Sequence, residues 1–192
     1  MEITKDKFTW SVSQTANAYP FVQVQDSVFE RMNEGSIELH IETRLLKNHT
    51  AKNVVGYLPA RKRAKKKPYL FITAHYDHLG RMGQASYFPG ANDNASGTAM
   101  LIALANYFRQ HPVDYNILFI AFAGEEIGLL GSKYYVENPV KPLKEISFLL
   151  NLDIFGSGED GVTVVNGSVF LEHFDLLTAI NEEKQLLTQI KS

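Results

Sequence analysis

Four short clusters hold most of the residues able to do chemistry: His75-Tyr76-Asp77-His78, Asp93 within Gly90-Ala91-Asn92-Asp93-Asn94-Ala95-Ser96-Gly97, Gly124-Glu125-Glu126, and Asp153. Carboxylates brought to close quarters repel one another, and burying them without counter-charge is costly. Lys and Arg are nearly absent from the clusters, so divalent ions are the natural partners. Histidine nitrogen and carboxylate oxygen suit zinc, which at a catalytic site keeps one position open for water. Charge counting points to two ions: +4 from the pair, −3 from Asp93, Glu126 and Asp153, and −1 from a shared hydroxide. Paired ions about 3.5–4 Å apart could share a carboxylate and clamp that hydroxide.

The remaining carboxylates suit other tasks. Asp77 lies two residues from His75 and could accept the proton on the imidazole nitrogen that faces away from a metal. Glu125 adjoins Glu126, and neighbouring side chains diverge, so Glu126 could ligate while Glu125 acts as general base on the bound water. Taken singly, three of the clusters have an ordinary explanation, a surface His-x-Asp, a glutamate pair at a helix start and an aspartate capping a helix, and Asp153 after an apolar strand is ambiguous. Their joint position argues for more, because each cluster sits where a predicted strand ends or a helix begins. His78 lies close to the site and reads either as a partner behind a metal ligand or as packing in the cleft wall.

The elements that must position these groups follow from periodicity. IELHIETRLL, from Ser36, alternates at period two, and KNVVGYLPA closes at Pro59, so the two read as an antiparallel N-terminal strand pair. PYLFITA (68–74), NILFIAFA (116–123) and ISFLLNLDI (146–154) are continuous apolar runs, as expected of strands buried on both faces. GVTVVNG adds a short fourth strand. Helices are expected over Ser96–Gln110, Ile127–Glu137 and from Val169 to the end, the last with Phe170, Phe174, Leu177, Ile180 and Leu187 as its buried stripe. Strands alternating with helices predict an α/β fold: a mostly parallel twisted sheet with helices on both faces. Ligands bind such sheets outside the carboxyl ends of the strands.

Composition narrows the alternatives. The 192 residues are 45% hydrophobic with a net charge of −2, a globular balance that argues against a nucleic-acid binder. The basic run RKRAKKK at 61–67 reads as a solvated turn, with a polyanion patch as the alternative. There are no cysteines, which excludes thiolate zinc sites and a cysteine nucleophile. No apolar run is long enough for a membrane helix, and MEITKDKFTW carries charges where a secretory leader would be apolar.

HYDHLG (75–80), PGANDNASG (89–97), FAGEEIGLLGS (122–132) and NLDIFG (151–156) together resemble the zinc aminopeptidases of peptidase family M28. The resemblance implies the phosphorylase/hydrolase-like zinc-peptidase fold, two zinc ions, a peptide substrate with a free amino terminus, and a secreted or periplasmic parent protein. His75 and Asp153 would bind one zinc, Asp93 would bridge, Glu126 would bind the other, Glu125 would be the general base and Asp77 the partner of His75. The family closes its second zinc with a histidine beyond a long helix downstream of Asp153. Here the only later histidine, His173, reads as a helix-face residue, so the expectation is a C-terminally incomplete catalytic domain over 36–192. YPFVQVQDSVFERM resembles the end of a protease-associated domain, which would make 1–35 its remnant. The alternatives are a carboxypeptidase, glutaminyl-cyclase-like chemistry on the same scaffold, or a catalytically inert binding module.

Overall fold

The computed structural model describes residues 2–4, 11–31, 38–42, 44–61 and 68–192. Its centre is a four-stranded sheet built from β3 (Val54–Leu58), β4 (Tyr69–His75), β7 (Asn116–Phe122) and β8 (Ile146–Asn151), in the order β3-β7-β4-β8. β4 runs parallel to both β7 and β8, and β3 runs antiparallel to β7. In this register His75 pairs with Phe122 and Thr73 with Asn151, so three strands end side by side. Smaller pairings surround the sheet: β1 (Glu2–Thr4) with β2 (Gln23–Gln25), which leads into the single-turn α1 (Asp26–Phe29), and the hairpin of β5 (Gly80–Met82) with β6 (Ser86–Phe88).

The pleat of β4 and β7 sends alternate residues to opposite faces. Ile72, Ala74, Ile117 and Phe119 pack with Leu101 of α2 (Gly97–Gln110) and with Leu152. Phe71, Leu118 and Ile120 face the other way, onto Tyr135 of α3 (Leu130–Glu137). Helices therefore cover both faces of an α/β sheet, as the alternation of elements predicts. No helix among the described residues is long and apolar enough to cross a membrane.

Four expectations need correction. Residues 38–42 and 44–46 form no strand, and the antiparallel partner of β3 is β7. Register explains this: the five residues of β3 match Ile117–Ala121 one for one, giving the buried β7 ladder its second neighbour. β8 is not buried on both faces; it is an edge strand, with Leu149 51% exposed. The segment from Val169 is not one helix to the end. α4 spans Leu171–Lys184, Gln185 turns left-handed, and β10 (Ile190–Lys191) pairs parallel with β9 (Val162–Thr163) outside the central sheet. None of the expected α4 stripe is buried, and Phe170 is exposed. The basic run lies outside the described residues except Arg61, which pairs with Asp114 at 3.3 Å.

α2 enters against the chain that leaves β8. Asn94, 2% exposed, donates its side-chain amide to the Leu152 carbonyl at 3.0 Å and accepts the N–H groups of Gly97 (3.1 Å) and Ile154 (3.3 Å). A Cβ at Gly97 would collide with the Asn94 side-chain oxygen and the Leu152 carbonyl. Gly97→Ala should therefore destabilise the protein by about 1–3 kcal/mol, in line with other overpacked sites. Gly56→Ala is the control, because its Cβ meets nothing nearer than Phe119 Cβ at 3.8 Å. Urea unfolding of both variants checks this, and equal midpoints would contradict it.

Candidate metal centre

The three parallel strands deliver the chemical groups to one rim. His75 is the last residue of β4, the Gly124-Glu125-Glu126 turn follows β7, and Asp153 lies two residues beyond β8. Asp93 arrives from the irregular turn Ala91–Ser96 that precedes α2. The buried Asn94 makes the capping bond to Gly97 that sequence alone would give to Asp93, which leaves the Asp93 carboxylate free to face the rim.

His75 organises the first half of the site. Its ring is nearly fully buried, and Nδ1 lies 3.1 Å from the main-chain carbonyl of Asp77. A carbonyl only accepts, so Nδ1 carries the proton and Nε2 presents its lone pair. Nε2 lies 3.2 Å from Oδ1 of Asp93 and 3.3 Å from Oδ1 of Asp153. Three lone-pair atoms at that spacing need a cation or a proton between them. Two ligands of a tetrahedral zinc, each about 2.0–2.2 Å from the ion, stand about 3.3 Å apart, so the spacing fits the metal. His78, Asp93 and Glu126 form a second set whose ligand atoms lie within 4.8 Å of one another, and Asp93 is common to both sets. His173 belongs to neither; it lies on α4 with its ring stacked 4.8 Å from Phe148.

Asp77 behaves differently from expectation. Its carboxylate stands 3.7 Å from His75 Nδ1, beyond hydrogen-bond range, and its main-chain carbonyl makes the bond instead. The carboxylate oxygens accept the backbone N–H groups of Glu125 at 3.0 Å and Glu126 at 3.2 Å. Two such donors compete well for a charged acceptor. Asp77 thus ties the turn after β7 to the loop after β4.

The charge balance is unresolved by the protein alone. Among the described residues no Lys or Arg pairs with Asp77, Asp93, Glu125, Glu126 or Asp153. Burial raises the Glu125 pKa, and repulsion from Glu126, Asp153 and Asp77 adds to it against the pull of His75. Burial disfavours a charged His75, yet Glu125, Asp153 and Asp77 together outweigh it and raise its pKa too. Both groups are pushed toward holding protons, the response of a site with surplus negative charge. Glu125, His75 and Asp153 line a cleft of about 470 Å³, whose walls also include Phe71, Phe122, Leu129, Val136 and Leu149.

Sequence reasoning missed two positioning residues. Asn94 looks like an ordinary turn asparagine, and only its triple bonding across Leu152, Gly97 and Ile154 shows what it holds. Thr98, the second residue of α2, donates its hydroxyl to the His75 carbonyl at 2.8 Å. Their long-range bonds carry no local signal, because His75, Leu152 and Ile154 lie 23 to 60 residues from the side chains that reach them.

The aminopeptidase YwaD of Bacillus subtilis is 37% identical over 121 residues, covering 62% of this chain and 25% of the relative. A probable zinc metalloprotease of Pyrenophora teres f. teres is 40% identical over 88 residues, covering 45% of this chain and 18% of that protein. The chain therefore spans about a quarter or less of the length of these relatives. A crystal structure of a glutaminyl cyclase from an Acidobacteriales bacterium matches with a TM-score of 0.57 at 24% identity, over 73% of this chain and 50% of that one, a likeness of fold alone. The model of peptidase family M28 matches residues 53–187, a stretch that holds all four clusters and every strand of the central sheet. On that match the chain belongs to peptidase family M28.

Proposed function

We propose that this chain carries the catalytic centre of a zinc aminopeptidase that removes amino-terminal residues from peptides. The observation that carries the reading is Nε2 of His75 held at zinc-ligand spacing from Asp93 and Asp153, with Glu125 beside them in an apolar cleft. Names of the relatives agree with it: one is called an aminopeptidase and one a zinc metalloprotease. His75 and Asp153 would hold one ion and Glu126 the other, with Asp93 shared. When bound, the ions would supply Lewis acidity and lower the pKa of the attacking water to about 7.

The protein's own residues do the rest. The Asp77 carbonyl keeps the proton on Nδ1 and so keeps Nε2 available. Its carboxylate fixes the backbone from which Glu125 and Glu126 diverge. Glu125 is the general base: it takes a proton from water as the scissile carbonyl is attacked and passes it to the leaving amine. The cleft beside it would take the side chain of the residue being released. Its Phe, Leu and Val walls favour an apolar group and penalise a charged one, which would lose its water there.

Glu125→Gln should leave zinc binding intact and lower turnover by about 10²–10⁴-fold, the range for a lost general base. Zinc content by mass spectrometry and hydrolysis of leucine p-nitroanilide measure the two separately; unchanged turnover would remove Glu125 from the mechanism. Peptides starting with Leu or Phe should be cleaved faster than those starting with Asp or Lys, and blocking the amino group should abolish cleavage. Cyclisation of an amino-terminal glutamine with no hydrolysis of free-amine peptides would favour cyclase chemistry on this scaffold.

A further inference from the structure

His78 is the one imidazole at the rim without a task in the reaction described above. Its Nδ1 lies 2.7 Å from Oε1 of Glu126, and both side chains are largely buried, at 22% and 17% exposure. The separation decides what the contact is. Two atoms sharing a tetrahedral zinc stand about 3.3 Å apart, whereas 2.7 Å is the length of a charge-assisted hydrogen bond. Nε2 of His75 shows the ligand spacing, whereas Nδ1 of His78 stands at hydrogen-bond distance from Glu126.

The ring is held from behind. Gly90 has φ +66°, and a Cβ there would lie 2.9 Å from both Cβ and Cγ of His78. The loop before Asp93 therefore packs directly on the His78 ring. Glu126 is tethered at two points, its backbone N–H by Asp77 and its Oε1 by His78. A carboxylate on a two-carbon stem, tethered by its backbone alone, would sample several rotamers. With Oε1 bonded, one oxygen remains to serve as a ligand.

We propose that His78 is a positioning residue for the second ion: its Nδ1–H holds Oε1 of Glu126 and presents the other carboxylate oxygen beside Asp93. The proposal rests on the metal-centre reading above. Partners of ligating carboxylates typically contribute about 10–100-fold in metal affinity, and that is the size expected here.

The test is zinc titration of the full chain against a chromophoric chelator, for wild type, His78→Ala and His78→Asn. Asparagine places its amide N–H where imidazole carries Nδ1, but it is a poor zinc ligand. His78→Ala should bind the first ion as wild type does and the second about 10–100-fold more weakly. His78→Asn should recover most of that loss. Cadmium-113 coupling to labelled histidine nitrogen should appear at His75 and not at His78. Unchanged second-ion affinity in His78→Ala would overturn the proposal, as would an asparagine variant no better than alanine or a cadmium coupling at His78. Wild-type chain that binds no zinc would overturn the metal-centre reading together with the proposal; wild type that binds two ions regardless of His78 would overturn the proposal alone.

Discussion

Five carboxylates and two imidazoles meet at the carboxyl ends of three parallel strands, and mutual repulsion among the acids is the constraint to which the surrounding structure answers. No lysine or arginine among the described residues relieves it. The protein instead spends two of the charges internally. Asp77 is neutralised in part by the dipoles of two backbone N–H groups, and Glu126 shares one oxygen with His78. What remains unmatched is concentrated around Nε2 of His75, where Asp93 and Asp153 leave space suited to a small divalent cation.

Holding like charges together requires a rigid frame, and the packing supplies one. Ile72, Ala74, Ile117 and Phe119 on one face and Phe71, Leu118 and Ile120 on the other lock β4 and β7 between two helices. Burial of such side chains contributes roughly 1.5–3 kcal/mol each, enough to hold strand ends against local repulsion. Asn94 and Gly97 then close the remaining gap. The absence of a side chain at Gly97 lets α2 approach Leu152, and this brings Asp93 and Asp153, 60 residues apart, to the same nitrogen.

Much of the candidate site was legible in the sequence. His75, Asp93, Glu126 and Asp153 announce themselves by type and by position at the ends of apolar runs, and the rule that parallel sheets bind ligands at that edge locates them together. Less legible were features whose cause lies across the fold. ISFLLN reads as a buried strand, yet it is an edge because nothing in its own residues says how many neighbours it will have. IELHIETRLL has strand periodicity and no strand over its described residues, since β3 finds β7 instead. The Asp77 carboxylate lies close enough in sequence to serve His75, and the turn after β7 takes it away.

Local order and residue chemistry were therefore determined by the sequence: a hydrophobic run forms a strand wherever it is placed, and a carboxylate has the same charge in any fold. Which strand became an edge, which oxygen of Asp77 met which hydrogen, and how near His78 came to Glu126 were decided by tertiary structure. Hydrogen bonds and lone-pair repulsion change sign or vanish over less than an ångström, and separations that small are set only when distant segments pack against one another.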